Sequence, residues 1–286
     1  MNNCRSGRLG DAPLPEEEEA FDLKALFPLN GCMGVTGEEA FMDFVGDLTG
    51  DQKVALTRYL ETYVTEAKRD QMHEVLRHRT RHVALVLENV FQPHNAAAAV
   101  RSCECFGFQD LHVIELHNDY RINPDVTMGG CKWVSLHHHG KTERATTSLL
   151  SSMKAQGYKV AATSLRPGCV PLEELDLSEP LALCFGTEEE GLSDEAHELA
   201  DVFVQIPSYG FTQSFNVSVS VALTLSSIRN RLEKSEIPWQ LSKQDYEDLY
   251  LTWMMKTANR GLLLAKRFFE QENAPEGIYG EPEQSS

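Results

Sequence analysis

The spacing of apolar residues changes near residue 80. From Glu38 to about His78 they recur at helical spacing, with a break at Thr49-Gly50. Beyond that point, short and almost entirely apolar runs alternate with segments of helical composition. Such runs are typical of strands that are covered on both faces of a sheet. The pattern therefore predicts helices first and an α/β arrangement afterwards.

Five apolar runs predict strands, at 82–90, 111–116, 159–165, 181–186 and 202–206. The helical segments between them span 95–107, 143–156 and 193–200. Asn95 and Ser193 are the expected N-caps of two of these helices, and Gly107 is the expected stop of the first. Strands that alternate with helices at this spacing predict an α/β domain with a mainly parallel sheet and helices on both faces.

The stretch SFNVSVSVAL, residues 214–223, fits two structures. Its alternation of polar and apolar residues predicts a strand of about eight residues. The residues that follow are helix formers with a basic end, and they favour a helix from about Asn216 to Lys234. We prefer the helix, with Asn216 or Ser214 as its N-cap. The residues from Gln240 onward predict a long amphipathic helix or a pair of helices.

These patterns divide the chain into five parts. They are an acidic tail that we expect to be disordered (1–20), a helical N-terminal extension (21–80), the α/β domain (81–236), a C-terminal helix (240–270) and a second acidic tail (271–286). The N-terminal tail contains four consecutive glutamates at 16–19.

The net charge of −17 argues at first against a nucleic-acid partner. The charge is unevenly distributed, however. Residues 1–50 carry ten acidic and three basic residues, and residues 270–286 carry five acidic residues and no basic one. Basic residues cluster in 65–82 and in 252–269. Each cluster is either a solvated helix face or a surface that follows a phosphate backbone.

Several classes of protein are disfavoured. The seven cysteines are odd in number and show no disulfide framework. We expect a soluble, cytoplasmic protein without a membrane partner, because the chain has neither a secretory signal nor an apolar run of spanning length. We expect no metal at His137-His138-His139, since consecutive side chains point apart.

The loops after the predicted strands are unusual. Ligands of open α/β sheets bind at the carboxyl ends of the strands. The loop ENVFQPHN lacks the G-x-G-x-x-G of a dinucleotide site, and neither a P-loop nor a G-x-S-x-G motif occurs. The loops FGTEEEGLS and IPSYGFTQSFN contain glycines, which let backbone groups approach a ligand closely.

Four segments in order resemble the TrmH branch of the SPOUT methyltransferases. They are ENVFQPHNAAAAVRSCECFG, GGCKWVSL, LALCFGTEEEGLS and IPSYGFTQSFNVSVSVAL, and the likeness covers roughly residues 65–260. Within the branch, TEAKRDQMHEVLRHRTRH and LSKQDYEDLYLTWMMK are similar to the tRNA (guanosine-2′-O)-methyltransferases that modify the D-loop. The resemblance implies a C-terminal trefoil knot, a homodimer, S-adenosyl-L-methionine as cofactor and tRNA as substrate.

The resemblance also implies the functional residues. The catalytic set would be Asn95, Arg101, Glu188, Ser214 and Asn216. The cofactor would lie on loops around Thr163, Gly186, Ile206 and Phe215, where the family commonly has Leu at the last position. A guanidinium is effectively always protonated. We therefore expect Arg101 to hold a substrate phosphate and to stabilise developing alkoxide charge rather than to act as a base.

Each of these residues also has an ordinary structural interpretation. Asn95 would then be a helix cap, Arg101 a helix-surface cation and Glu188 a solvated acid. Two other functions stay open, a ribosomal RNA ribose 2′-O-methyltransferase and a non-catalytic RNA-binding or assembly protein. Enzymes that act on ribosomal RNA often carry a separate N-terminal RNA-binding domain, which the acidic N-terminal extension does not resemble.

Overall fold

The computed structural model describes residues 35–90, 92–116, 129–140, 142 and 144–272. The predicted tail at 1–20 and the first part of the N-terminal extension lie outside the described residues. Seven described strands form one sheet in the order β3-β2-β1-β6-β4-β7-β5, and every neighbouring pair is parallel. The strands are β1 Val83–Glu88, β2 Asp110–Ile114, β3 Ser135–His139, β4 Lys159–Thr163, β5 Val170–Pro171, β6 Leu181–Phe185 and β7 Val202–Gln205.

The five predicted strands are confirmed, with ends that differ by one or two residues. Two edge strands, β3 and β5, were not predicted. The sequence of β3, SLHHH, is mostly polar and has no strand signal of its own. Its register is set by β2, since Leu111 lies opposite Leu136. The strand β5 has only two residues, and its proline is tolerated because it lies at the edge of the sheet.

Helices cover both faces of the sheet, as predicted. All six residues of β1 are buried, and alternate residues belong to different cores. Leu85 and Leu87 face one core together with helices α4 and α7, whereas Ala84 and Val86 face the other with α5 and α6. The helices are α4 Pro93–Phe106, α5 Ala145–Ala155, α6 Asp194–Leu199 and α7 Val217–Glu233.

The helix interpretation of residues 214–223 is confirmed. Asn216 is the N-cap of α7, and its side chain accepts hydrogen bonds from the backbone of Ser218 and Val219. The predicted cap of α6 is also confirmed, because the Ser193 side chain accepts from Ala196 N. The buried face of α7 packs against the sheet through three apolar residues, Val217, Val221 and Leu225.

The expected N-cap of α4 was wrong. The helix begins two residues earlier, with Gln92 as N-cap and Pro93 at its first position, so Asn95 lies within the first turn. Proline favours that position because its fixed φ is helical and its missing N–H would have no intrahelical partner. The other end agrees with expectation, since Gly107 stops the helix with a φ of 77°.

The terminal extensions form one helical cluster. Three helices precede the sheet, α1 Val35–Asp47, α2 Gly50–Glu61 and α3 Glu66–Leu76, and two follow it, α8 Lys243–Thr257 and α9 Gly261–Glu272. Leu56, Met72 and Met254 belong to their shared core. Of the two possibilities predicted from Gln240 onward, a long helix or a pair of helices, the structure has the pair, and the second helix includes residues 271 and 272, which had been assigned to the acidic tail.

The break between α8 and α9 has a local cause. Arg260 has a φ of 58°. A Cβ on Gly261 would lie 2.0 Å from the carbonyl oxygen of Met255, so only glycine fits there. None of the helices in the described ranges has the length and apolar character that a membrane span needs.

Arg79 connects the helical extensions to the α/β domain. It is fully buried, it forms an ion pair with Glu104 of α4 at 3.3 Å, and its guanidinium lies 5.3 Å from the ring centroid of Trp253 in α8. Burial lowers the pKa of Arg79 to about 10, although Glu104 opposes the shift. The residue is charged at neutral pH, so α4 and α8 pack around a buried cation.

A tight turn follows β6. Thr187 N donates to Gly191 O at 3.0 Å, and Gly191 N donates to Thr187 O at 3.1 Å. Gly186 lies directly under this turn, and a Cβ on it would come within 2.1 Å of the carbonyl carbon and oxygen of Gly191. The turn therefore closes only over a residue without a side chain.

We expect Gly186→Ala to lower the free energy of unfolding by at least about 2 kcal/mol, because the added methyl group must displace backbone. Urea unfolding followed by circular dichroism measures the change. Gly210→Ala is the matched control, since its nearest non-neighbouring atom would be 3.9 Å away. Equal unfolding midpoints for the two variants would show that the turn is not closed as described.

Candidate active site

A cavity of about 440 Å³ lies at the carboxyl ends of β4, β6 and β7. These are neighbouring strands, so the loops that follow them meet at one edge of the sheet. All four predicted cofactor residues line this cavity: Thr163, Gly186, Ile206 and Phe215. Two of the predicted catalytic residues, Glu188 and Ser214, line it as well.

The walls of the cavity combine buried apolar side chains with strand and loop ends. Phe185, Val204 and Val217 line it and are each less than 10% exposed. The hydroxyl of Thr163 donates to the carbonyl of Cys184 at 2.8 Å, which joins the ends of β4 and β6. Such a site suits a ligand that has both an apolar ring and polar groups.

Three predicted catalytic residues meet beside the cavity. Asn95 Nδ2 donates to Glu188 Oε1 at 2.8 Å, and Asn216 Nδ2 donates to the same oxygen at 2.5 Å. Asn216 Nδ2 also lies 3.2 Å from Asn95 Oδ1. These residues come from α4, the loop after β6 and the start of α7, so one carboxylate oxygen connects three elements. We refer to Asn95, Glu188 and Asn216 as the amide–carboxylate cluster.

Asn216 has two roles, because its amide uses its two ends differently. Its Oδ1 accepts from Ser218 N at 2.9 Å and from Ser218 Oγ at 2.5 Å, which caps α7. Its Nδ2 points to Glu188 instead. The capping contact fixes the orientation of the Asn216 amide. Asn216 therefore both ends the loop before α7 and orients the amide–carboxylate cluster.

Glu88 is a positioning residue that the sequence reasoning missed. It is 2% exposed and ends β1, where it accepts from Ser193 N at 2.7 Å, from Ser193 Oγ at 2.8 Å and from Thr146 Oγ1 at 2.5 Å. It thereby anchors the far end of the loop that carries Glu188. An acidic residue at the end of a wholly apolar run was the available signal, because buried carboxylates are almost always hydrogen-bonded.

Arg101 does not line the cavity of its own chain. It lies six residues after Asn95 on α4, so the two side chains leave the helix about 120° apart. Its side chain is exposed and makes no hydrogen bond or ion pair within the described residues. Sequence reasoning placed Arg101 with the other catalytic residues, whereas one copy of the chain brings only the amide–carboxylate cluster and Ser214 to the cavity.

The three consecutive histidines lie on β3, away from the cavity. The His137 ring stacks on His112 of β2, and His137 Nε2 lies 3.1 Å from Asp110 Oδ1. Burial lowers the pKa of His112 to about 3 and that of His139 to about 4, so both rings are neutral at physiological pH. In the part of the chain that the structure describes, no group of three or more His, Cys, Asp or Glu side chains is arranged to hold a metal ion.

The site can bind and orient, but the amide–carboxylate cluster offers no obvious base. One Glu188 oxygen accepts from two amides, so the carboxylate is used to hold Asn95 and Asn216 in place. Such preorganised polar groups fix the position of a bound molecule. Arg166 lines the cavity but pairs with Asp194 at 3.0 Å, and Arg101 lies outside the cavity of its own chain.

Comparison with known proteins identifies relatives of this chain. The tRNA (guanosine(18)-2′-O)-methyltransferase of Borreliella burgdorferi is 40% identical over 194 residues, which are 68% of this chain and 87% of the relative. The enzyme of the same name from Thermus thermophilus is 34% identical over 195 residues, covering 67% of this chain and 98% of the relative.

A solved structure agrees with these sequence matches. The crystal structure of the A. aeolicus TrmH/SpoU tRNA modifying enzyme superposes with a TM-score of 0.61 at 29% identity, covering 68% of this chain and 98% of its own. The model of the SpoU rRNA methylase family matches residues 82–226, which contain the whole described sheet and the cavity. The resemblance drawn from four sequence segments is confirmed, and the chain belongs to the SpoU methylase family.

Proposed function

We propose that this protein transfers a methyl group from S-adenosyl-L-methionine to the ribose 2′-hydroxyl of a guanosine in the D-loop of tRNA. The observation that carries the proposal is the cavity at the ends of β4, β6 and β7 with the amide–carboxylate cluster beside it. The relatives named as tRNA (guanosine(18)-2′-O)-methyltransferases support the substrate. A tRNA substrate agrees with a cytoplasmic location.

The cavity fits the cofactor in size and chemistry. A volume of about 440 Å³ lies within the range of about 300–1,000 Å³ that is typical of small-molecule sites. Phe185 and Val204 offer an apolar wall to an adenine ring, and the closed turn over Gly186 leaves backbone groups at the rim. When bound, S-adenosyl-L-methionine would supply an electrophilic methyl group next to the amide–carboxylate cluster.

The residues of this chain would divide the remaining work. The amide–carboxylate cluster would keep α4, the loop after β6 and α7 in register, so that the ribose hydroxyl is held in line with the methyl group. Ser214 at the cavity wall would contribute a hydroxyl to the bound nucleotide or cofactor. Arg101 would bind a phosphate of the substrate and stabilise the charge that develops on the ribose oxygen.

We infer that the active unit is a homodimer, because Arg101 lies outside the cavity of its own chain and the arginine that lines it, Arg166, is paired with Asp194 at 3.0 Å. Val219 and Leu223 of α7 are 45% and 43% exposed, and Phe215 before them is 41% exposed. Val219 and Leu223, four residues apart on α7, form an apolar stripe on the free face of the helix, and Phe215 lies just before its N-cap. The helix α4, which carries Arg101, packs along α7. A second copy seated on the stripe would lie beside Arg101.

The trefoil knot forms part of the same proposal. In the sheet, β6 lies between β1 and β4 although it follows β4 in the chain. The chain therefore returns to the centre of the sheet after it has built strands nearer the edge. This order is compatible with a threaded C-terminal part.

Incubation with labelled S-adenosyl-L-methionine and separate tRNA and ribosomal RNA transcripts tests the proposed activity. We expect label in tRNA, and nuclease mapping should place it on a D-loop guanosine as a 2′-O-methyl group. Label in ribosomal RNA alone would favour the ribosomal enzyme. Binding of RNA without transfer to either transcript would indicate a non-catalytic protein.

Arg101→Ala should reduce methyl transfer roughly 1,000-fold, because the variant removes a preorganised cation from the transition state. Affinity for S-adenosyl-L-methionine, measured by calorimetry, should stay near the wild-type value. Arg101→Lys keeps the charge but loses the planar fork and should retain part of the activity. Methyl transfer near the wild-type rate in Arg101→Ala would show that Arg101 does not stabilise the transition state.

Glu188→Ala should reduce methyl transfer by about 100-fold, because Asn95 and Asn216 lose the acceptor that aligns them. Unfolding should become easier by about 1–3 kcal/mol, since the buried Asn95 amide is left without its carboxylate partner. Glu173→Ala is the control, an exposed glutamate that does not line the cavity. Similar rates in the two variants would contradict the role of the cluster.

Val219→Glu combined with Leu223→Glu should convert the protein to monomers, because two charges would be buried at the contact. Sedimentation velocity should give wild-type protein about twice the chain mass of 32.1 kDa. Val54→Glu, at a comparably exposed apolar residue of α2, serves as control. A monomeric wild type, or a double variant that stays dimeric, would rule out this interface.

A further inference from the structure

Three lysines from separate elements meet around Trp133. Lys68 belongs to α3, Lys132 ends the short 3₁₀ turn Gly130–Lys132, and Lys256 lies near the end of α8. The ammonium groups of Lys68 and Lys132 lie 4.9 and 5.0 Å from the ring centroid of Trp133. Lys256 Nζ donates to the carbonyl oxygen of Lys132 at 3.2 Å. We refer to these three residues as the lysine cluster.

The tryptophan gives the lysine cluster a rigid support. Trp133 packs edge-to-face against Trp253, with ring centroids 5.2 Å apart. Trp253 is 1% exposed and belongs to the core of the helical extensions. An aromatic face attracts a cation and restricts its position. The ammonium groups of Lys68 and Lys132 are therefore held near each other rather than spread into solvent.

Bringing like charges together is unfavourable unless an anion joins them. In the described ranges, Lys68 and Lys132 form no ion pair with a carboxylate, and the described partner of Lys68 is the side-chain oxygen of Gln71 at 2.9 Å. Burial lowers the pKa of Lys132, and the charges of Lys68 and Lys256 lower it further. This accumulation of positive charge contrasts with a chain of net charge −17.

The lysine cluster lies next to the helix that carries Arg101. Gly130, at the start of the same 3₁₀ turn, packs on α4, and a Cβ on it would lie 3.9 Å from the Cα of Arg101. Arg101 is exposed and is expected to hold a substrate phosphate. A nucleic-acid backbone bound at Arg101 would therefore have the lysine cluster within a short distance along its path.

We propose that Lys68, Lys132 and Lys256 bind a phosphate of the tRNA backbone outside the catalytic cavity. This inference rests on the proposed function, because it takes the substrate to be tRNA. The site requires both terminal extensions, since α3 and α8 each supply one lysine. The proposal also gives a role to α3 and α8, which do not contribute residues to the lining of the cavity. Backbone contacts of this kind position an RNA without reading its sequence.

Salt-dependent binding of a tRNA transcript to the full-length protein tests the proposal. Lys68→Gln and Lys132→Gln keep much of the side-chain length but remove the charge. Each should weaken binding about tenfold, as expected for loss of a charged hydrogen bond. Each should also reduce the slope of log K against log salt by about 0.7–0.9, the value for one released phosphate contact. Lys132→Arg should keep most of the slope.

Lys243→Gln is the matched control, because Lys243 lies on α8 but is exposed and pairs with Glu247. Affinity for S-adenosyl-L-methionine and the transfer rate at saturating tRNA should be unchanged in Lys68→Gln and Lys132→Gln. Wild-type transfer to tRNA tests the proposed function separately. If wild type methylates tRNA but both variants bind it with the affinity and salt slope of Lys243→Gln, the phosphate site is wrong. A lower unfolding midpoint with unchanged tRNA binding would likewise overturn it, since the lysines would then serve only to pack on Trp133.

Discussion

One carboxylate oxygen, Glu188 Oε1, links the three elements that surround the candidate site. It accepts from Asn95 on α4 and from Asn216 at the start of α7, and it lies on the turn that closes over Gly186. This contact holds the middle of the loop after β6 against α4 and the start of α7. Since Glu188 is itself exposed, the contact depends on the amides that face it rather than on burial. The loop that lines the cavity is therefore the same loop that carries the carboxylate of the amide–carboxylate cluster.

The far end of the same loop is fixed by hydrogen bonds to a buried carboxylate. Glu88 is buried at the end of β1 and accepts three hydrogen bonds, two from Ser193 and one from Thr146. A buried carboxylate is costly unless it is fully hydrogen-bonded, so its partners are fixed in position. The loop thus runs between a rigid anchor at Ser193 and an exposed but paired carboxylate at Glu188.

The helical extensions have a separate core, and they meet the α/β domain around two aromatic–cation contacts. Buried Arg79 lies over Trp253, and Lys68 and Lys132 of the lysine cluster lie over Trp133, which packs edge-to-face against Trp253. The pair of tryptophans therefore supports cations from both the core and the surface. This arrangement ties the position of α3 and α8 to α4, the helix that contributes Asn95 and Arg101.

Much of this could be predicted from the sequence, for physical reasons. Strands buried on both faces leave continuous apolar runs, and capping residues mark helix ends, so β1, β6 and α7 were recognisable. The strand β3 was not, because SLHHH acquires its extended structure from pairing with β2. The start of α4 was misplaced because Asn95 is used by Glu188 and not by the helix backbone. The direction of the Arg101 side chain could not be predicted. A sequence motif gives the spacing of residues along the chain, but it does not show whether a side chain acts in its own copy or in a partner copy.

The most direct test of the central claim is a crystal structure of the protein with S-adenosylhomocysteine, the product that methyl transfer leaves behind. The account predicts that the ligand occupies the cavity between Thr163, Gly186 and Ile206, with its sulfur directed toward the amide–carboxylate cluster. It also predicts that the contacts of Glu188 with Asn95 and Asn216 persist. A ligand bound elsewhere on the chain, or a cavity that stays empty at saturating ligand, would contradict it.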